Sequence, residues 1–476
     1  MNISLISGLI FVAVFAGVVF IHELGHFLAA RLFKVEVEEF GFGLPPRALT
    51  LWRTKGWVRI NDRRLEVPGM LASPLEGLRD VSTPVTVTAE EVKGRLVLAS
   101  LEYEEEARPR SKGSRFIEES LRADSAGNIV QEQEPAPQKV KRVAGRPGAI
   151  VISGRIVELH QGTAFTLNWL PLGGFVRPKG ENDPAVPGGL AASSPWVRLG
   201  VLTAGPLMNL LAGVLVNSML FAQMGVPDLD QVILYEVMPD SPAAQAGLQV
   251  DDRILSVDGA QVQGEDQFRE SIRAHMDQPM QIAVQRGDDM LEFSATPRSD
   301  RSAEEGALGI LPGPPLIPAE SYLQTIPFGA MYTYDQIRLI LSLPAQILRG
   351  SLSPEEGRFI GLKGIYDLFG QAVSRDVESR ELGASGTPGT AGMEPTNFTI
   401  QLIASLTIML GIFNLLPFPA LDGGRIIFVL PELVLRRRIP AEYENLAHTV
   451  GFVLLLLFMV YINAMDFINP VNVNLP

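Results

Sequence analysis

Apolar positions gather in four long runs separated by charged, patterned stretches. The first, Leu5 to Ile21, carries no charged side chain and resumes after a polar interruption as Phe27 to Leu32. The others cover about Val197 to Val226, Phe398 to Leu416 and Ala447 to Ala464. Each reaches across a hydrocarbon core of about 30 Å when helical, which predicts four transmembrane helices. A cleaved signal peptide is the competing reading of the first run, but no basic segment precedes it and no small-residue cleavage site follows. A weaker stretch, Phe328 to Leu348, carries Asp335 and Arg338 and suits an interfacial amphipathic helix.

Between the runs the period changes. Val232 to Val237, Arg253 to Val257 and Gln281 to Gln285 alternate like strands around two helix candidates, each begun by a capping-type residue. The first follows Asp240 and Ser241 and ends on Gly247 as a C-cap. Upstream, VTVTAEEVKGRLVLASLEYE (85–104) and AIVISGRIVELHQG (149–162) also alternate. They enclose the charged stretches 102–116 and 131–142, poor in large apolar residues, for which a flexible interior is expected. AFTLNWLPLGGFV (164–176) alternates and ends in Gly173-Gly174, reading as a β-hairpin. SRELGASGTPGTAGMEP (379–395) reads as a loop.

Composition adds exclusions. The mean hydropathy of +0.18 averages oily runs with charged regions and misleads by itself. A net charge of −13 argues against nucleic acid as a partner. No Cys is present, so disulfides and thiolate zinc sites are unavailable and a metal would need His, Asp or Glu. Arg31, Lys34, Arg47, Arg53 and Lys55 follow the first run, and Arg425 and Arg436 to Arg438 separate the third from the fourth. Positive loops face the cytoplasm, so both termini and the acidic region from about Asp228 to Glu320 are expected outside.

The chemistry concentrates in HELGH, residues 22 to 26. Histidines four apart on a helix share a face and can grip one ion, with the adjacent Glu23 suited to general-base work on a metal-activated water. Two surface histidines are the bland alternative. Three ionisable groups within an apolar span are costly without partners, and function is then the default reading. Zinc fits a nitrogen and oxygen ligand set. Of the ligand types available, Asp422 in NLLPFPALDGG (414–424) is the better third candidate, because its prolines and glycines break the third run, and irregular backbone at membrane depth lines cavities. His160, His275 and His448 are poorer candidates.

The stretch SPAAQAGLQVDDRILSVDG (241–259), with GALGI (306–310), resembles a bacterial PDZ domain, which would take an extended peptide end at an open sheet edge. HELGH, GFG (41–43), LPLGGFVRP (170–178), AGPLMN (204–209), the PDZ-like stretch and NLLPFPALDGGR occur together in order. The chain therefore resembles the site-2 protease family of intramembrane zinc metalloproteases, in its PDZ-bearing bacterial branch. The resemblance implies His22, His26 and Asp422 as zinc ligands and Glu23 as the base. It makes Asn209 and Asn414 amides near the active site, holding substrate or an oxyanion, or else bridging helices. The segment containing Gly173 and Gly174 becomes a membrane-entering β-element that pairs with unwound substrate, and 361–372 a peripheral helix near the cavity.

The expected fold class is a multi-pass α-helical membrane protein with about four transmembrane helices, an inserted α+β PDZ domain and a membrane-associated β-hairpin. Its expected parts are a first span with the zinc motif (1–34), a cytoplasmic β-rich region (35–195), a second span (196–226), an extracytoplasmic PDZ domain (227–316), an amphipathic helix and linker (320–396), a third span with LDGG (397–430) and a fourth span (446–466). The expected location is the inner (plasma) membrane, with single-span membrane proteins such as anti-sigma factors or remnant signal peptides as substrates and the lipid bilayer as surroundings. A membrane-anchored protease of soluble proteins, and a PDZ-bearing scaffold with a structural or inactive metal site, are the alternatives.

Overall fold

A computed structural model describes residues 3–69, 84–92, 94–103, 140–142, 149–300, 306–350, 358–385 and 397–470. Most of the charged stretches 102–116 and 131–142, with the flexible interior expected there, lie outside the described residues. Helix α1 (Ile3–Leu32) is followed by strands β1 (Val37–Arg53), β2 (Gly56–Ile60), β3 (Arg63–Val67), β4 (Pro84–Val92), β5 (Arg95–Tyr103), β6 (Val140–Arg142), β7 (Ala149–His160) and β8 (Ala164–Pro178). Helix α2 (Pro195–Met224) leads into β9 (Val226–Pro227), β10 (Val232–Val237), α3 (Pro242–Ala246), β11 (Arg253–Val257), β12 (Ala260–Gln261), α4 (Gly264–Ala274), β13 (Met280–Arg286), β14 (Asp289–Ala295), β15 (Ile310–Gly313) and β16 (Leu316–Ile317). The remainder is helical: α5 (Tyr322–Leu348), α6 (Leu362–Ser385), α7 (Phe398–Leu415), α8 (Asp422–Leu435) and α9 (Ala441–Ile468).

Among the described residues, four helices are long and apolar enough to cross a membrane: 6–32 of α1, then α2, α7 and α9. They are the four oily runs of the sequence. Their outward side chains, such as Phe452, Leu454, Leu457 and Tyr461 on α9, are exposed, which suits lipid as their solvent.

The chain divides into two compact units, one comprising Gly8–Asn209 and Gly411–Tyr461, the other Met1–Ser7, Leu210–Leu410 and Ile462–Pro476. In the first of these, pairing runs β2-β3-β5-β4-β7-β6, and β2 also pairs with β7, which closes a ring of strands. Inward positions supply a core that includes Val58, Ile60, Leu65, Val87, Ile152 and Ile156, and closure leaves few sheet edges open.

A second β-element of this unit consists of β1 and β8, each bent. Residues 174–177 run antiparallel to 39–42, whereas 164–167 run alongside the opposite side of 39–42 with rising register, from Glu39↔Ala164 to Phe42↔Leu167. The same 164–167 also pair with 49–53, where Trp52 stacks on Phe165 with centroids 4.5 Å apart. The two halves of 164–178 thus bracket β1 instead of forming the self-paired hairpin expected from their alternation. Alternation identifies a strand but not its partner. Rings from α1 hold this sheet: Phe20 contacts Phe40 and Phe42 at 5.6 and 5.3 Å, and Phe27 contacts Phe40 at 5.0 Å.

In the other unit, the strand order is β14-β13-β11-β10-β15, with β12 on β11. Alternate positions bury Val232, Leu234, Ile254, Ile282 and Val284 around Phe268 of α4. Ser241 caps α3, its side chain accepting from the Ala244 N–H, and Gly247 ends it at φ 92°. Helix α4 departs from expectation: Gln263 at its N-cap makes no side-chain cap, and the Gln263 N–H instead donates to Gln267 Oε1 at 2.7 Å.

Helix α5 crosses α2 where a Cβ on Gly329 would sit 2.3 Å from Ser218 Oγ. Asn217 Nδ2 donates there to Thr333 Oγ1 at 2.9 Å. The start of α6 is held by the buried Asp466 of α9, which accepts from the N–H groups of Gly361 (2.8 Å) and Gly364 (3.0 Å) and from Arg358 Nη2 (2.7 Å). Asp376 of α6 in turn accepts from the first amides of α7, Phe398 and Thr399. Where a loop is expected from residue 379, α6 continues to Ser385; the rest of that stretch, 386–395, lies outside the described residues.

Candidate metal centre

His22 and His26 lie one turn apart past the middle of the apolar part of α1, so both rings leave the same face. Asp422 opens α8 after the break at residues 416–421. That break is a set of tight turns, Phe418 N to Leu416 O (2.7 Å) and Leu421 N to Phe418 O (3.2 Å), with Ala420 at φ 78°. His448 of α9 anchors it by accepting from the Ala420 N–H at 2.9 Å. Gly423 and Gly424 permit the fold-back, because a Cβ on either would lie 2.1 Å from Leu416 O or 2.3 Å from Phe418 O. The chain therefore turns sharply enough to bring Asp422 to α1.

There His22 Nε2 is 3.0 Å and His26 Nε2 3.3 Å from Asp422 Oδ2, and the two Nε2 atoms are 3.2 Å apart. Bonds of 2.0–2.1 Å in tetrahedral geometry set ligand atoms about 3.3 Å apart. The triangle fits zinc, with one position left open. Among the described residues this is the group of His, Asp and Glu side chains arranged to hold a metal ion. Both histidines are buried.

Helix α2 supplies the surroundings. His26 Nδ1 lies 2.8 Å from Val201 O, and His22 Nδ1 lies 3.3 Å from Asn209 Nδ2. The close approach of α1 and α2 depends on two glycines: a Cβ on Gly25 would be 2.4 Å from Ala204 O, and one on Gly205 2.3 Å from His26 Nε2. Thus the Gly of HELGH and the Gly of AGPLMN serve one crossing. Glu23, next to the ligands, accepts from the Val176 N–H of β8 at 2.9 Å.

Gly173 and Gly174 lie where β8 meets α1 and β1. Gly173 is at φ +81°, and a Cβ there would strike Val19 at 2.5 Å; one on Gly174 would lie 2.8 Å from Gly41 O. Asn414 sits half-buried in the last turn of α7. The structure thus brings His22, Glu23, His26, Asn209 and Asp422 together. Ion pairs join the neighbouring segments: Arg198 with Glu432, and Arg425 with Glu181. Val176, Val201, Gly205 and these pairs were not foreseen from sequence. The glycine-rich motifs were a signal for the close contacts, but backbone donors and acceptors carry no residue signature.

Residues 10–63 and 148–458 match peptidase family M50. The chain belongs to that family. The unmatched interval, 64–147, covers β4 to β6 and all of β3 but Arg63, so the M50 match includes only part of the strand ring. The chain is similar to the regulator of sigma-W protease RasP of Bacillus subtilis, 25% identical over 460 residues, 96% of this chain and 97% of that protein. It is similar also to the metalloprotease MmpA of Caulobacter vibrioides (28% over 345 residues, 66% of this chain and 84% of that protein). The zinc metalloprotease RasP of Oceanobacillus iheyensis is 31% identical over 283 residues, 58% of this chain and 61% of that protein. The Bacillus match covers 96% of this chain, so most of the interval outside the M50 match lies within that alignment.

Proposed function

We propose that this M50 protein is a zinc-dependent intramembrane endopeptidase that hydrolyses peptide bonds in the transmembrane segments of single-span membrane proteins. The observation that carries the reading is the His22, His26 and Asp422 triangle, with edges of 3.0–3.3 Å, built on an apolar helix. The names of the relatives, zinc metalloproteases and a regulator of sigma-W protease, support it. Anti-sigma factors and remnant signal peptides are the substrate classes suggested by the family resemblance.

His22, His26 and Asp422 would hold a zinc ion, which would supply Lewis acidity to this site when bound. Glu23 takes a proton from the attacking water and delivers it to the leaving amide nitrogen. A helical substrate hides its peptide bonds, so it must unwind locally to be cut. Residues 174–177 form an outer lane of the β1/β8 sheet, next to Glu23, and an unwound substrate paired there would present its backbone to the base. Gly173 and Gly174 keep that lane against α1. Asn414 holds substrate backbone or the developing oxyanion.

The sheet of β10, β11 and β13 to β15 is a PDZ domain that admits substrate by engaging an extended peptide at its edge. This reading is supported by the capped helix α3 and the position of β15 at one edge of the sheet. The basic clusters support a cytoplasmic strand ring with both termini and the PDZ domain outside, and on that reading cleavage falls toward the cytoplasmic end of the substrate span.

The test uses purified protein in liposomes with a labelled single-span substrate. Zinc content is measured and the cut mapped by mass spectrometry. The expected result is bound zinc, lost in Asp422→Ala, and a cut inside the apolar segment. A cut confined to soluble loops would favour a protease of soluble proteins. Peptide binding with neither zinc nor cleavage would favour the scaffold.

A further inference from the structure

We propose that Asn209 is the orienting partner of the His22 ring, accepting a hydrogen bond from its Nδ1–H, and not an amide that holds substrate. The inference rests on the reading of His22 as a metal ligand. Asn209 is fully buried at 0% exposure, and a side chain without exposed surface is poorly suited to meeting a substrate. Its amide is directed at His22 instead, with Nδ2 3.3 Å from Nδ1, while Asn209 Oδ1 is buried without a partner.

Those two facts have one resolution. The His22 Nε2 atom faces Asp422 and His26, and to offer a lone pair to a metal the neutral ring must carry its proton on Nδ1. A protonated Nδ1 opposed to an amide NH2 is two donors meeting. A half-turn of the amide about its last bond exchanges nitrogen and oxygen with little change of shape. Oδ1 then accepts from the His22 Nδ1–H, and a buried acceptor whose isolation would be costly is satisfied.

His26 has the same arrangement already, with Nδ1 2.8 Å from Val201 O. Val201, Gly205 and Asn209 follow one another at intervals of four, a single stripe along α2. That stripe supplies an acceptor for one histidine, clearance for its ring, and an acceptor for the other. A ligand histidine whose second nitrogen is held in this way keeps its tautomer and ring angle, and removal of the partner typically lowers metal affinity 10–100-fold.

The experiment is a zinc titration of the full-length protein in detergent against a competing chelator, for wild type, Asn209→Leu and Asn209→Asp. Leucine matches the size and removes the acceptor; aspartate retains an acceptor. The expected result is a loss of about 10–100-fold for the leucine variant. The aspartate variant should stay within about threefold of wild type or bind more tightly, since carboxylates serve this role in zinc sites. At saturating zinc, KM for a single-span substrate should be unchanged by Asn209→Leu. If Asn209→Leu fails to fold, Asn209→Ala gives the same comparison. Equal affinity in all three proteins, or equal loss in both variants, overturns the assignment while the zinc reading stands. A raised KM with unchanged zinc affinity overturns it in favour of substrate holding. A wild type that binds no zinc overturns the zinc reading, and this assignment with it.

Discussion

Replacing Gly205 by alanine tests the α1–α2 crossing with a single methyl group. The new Cβ would lie 2.3 Å from His26 Nε2 and 2.7 Å from its Cδ2 and Cε1. Ordinary carbon contacts begin near 3.5 Å, so ring and helix must separate by about 1 Å. A metal site tolerates ligand displacements of about 0.2 Å, and the same movement lengthens the 2.8 Å contact of His26 Nδ1 with Val201 O. Overpacking costs about 1–3 kcal/mol, while alanine recovers nearly 1 kcal/mol of helix propensity over glycine. The net global penalty is therefore about 2 kcal/mol or less, and the fold should survive. Zinc affinity should fall at least about 100-fold, equivalent to about 2.7 kcal/mol. The assay is competition for zinc with a chelator, alongside circular dichroism to establish that helix content is retained. Affinity within threefold of wild type would refute the claim that His26 is seated through this glycine.

Three further outcomes follow from contacts away from the metal. Glu36 is held by His160 Nδ1 (3.0 Å) and Lys179 Nζ (2.6 Å); burial raises its pKa, but these hydrogen bonds and charges outweigh burial and leave it below its ordinary value. Stability from a depressed carboxylate is present above the unfolded pKa and lost as pH falls through the folded one. Glu36→Gln should therefore lower Tm at pH 7 and converge with wild type below about pH 4, and a constant difference across that range would contradict the assignment. Asp466→Ala strips Arg358 and two amides of a buried acceptor at a cost of about 3 kcal/mol; hydrogen exchange at residues 361–366 should accelerate, and unaltered protection there would refute the clamp. Ser241→Ala should destabilise α3 by about 1 kcal/mol, read as faster exchange at Ala244, whose N–H donates to the Ser241 hydroxyl.

The four apolar helices were legible because a span needs a long uncharged run and little else imitates one. HELGH was legible because spacing of four fixes a common helix face, and Asp422 because prolines and glycines announced the break that carries it. The Ser241 and Gly247 ends of α3 were readable from capping chemistry alone. Partner choice was not. Nothing in the alternation of 164–178 states that its halves flank 39–42, and nothing in the strand-like stretches of 85–104 and 149–162 states that β2 returns to β7 to close a ring. Such pairings are long-range and are selected by packing, which local patterns do not encode. Val176 and Val201 contribute backbone atoms to the candidate centre, and any residue type supplies those. Helix α6 outran the loop expected from residue 379 because Glu378, Arg380, Glu381 and Leu382 are good helix formers, and the Gly and Pro punctuation gathers only beyond Ser385.

In the mechanism proposed above, Glu23 works as the base beside a metal held by His22, His26 and Asp422. The most direct measurement compares wild type with Glu23→Gln in liposomes, following both zinc content and cleavage of a labelled single-span substrate. Glutamine retains the shape of the side chain and removes its basicity, so zinc should be retained while cleavage slows by about 10²–10⁴-fold. Cleavage by the zinc-loaded variant at the wild-type rate would contradict it.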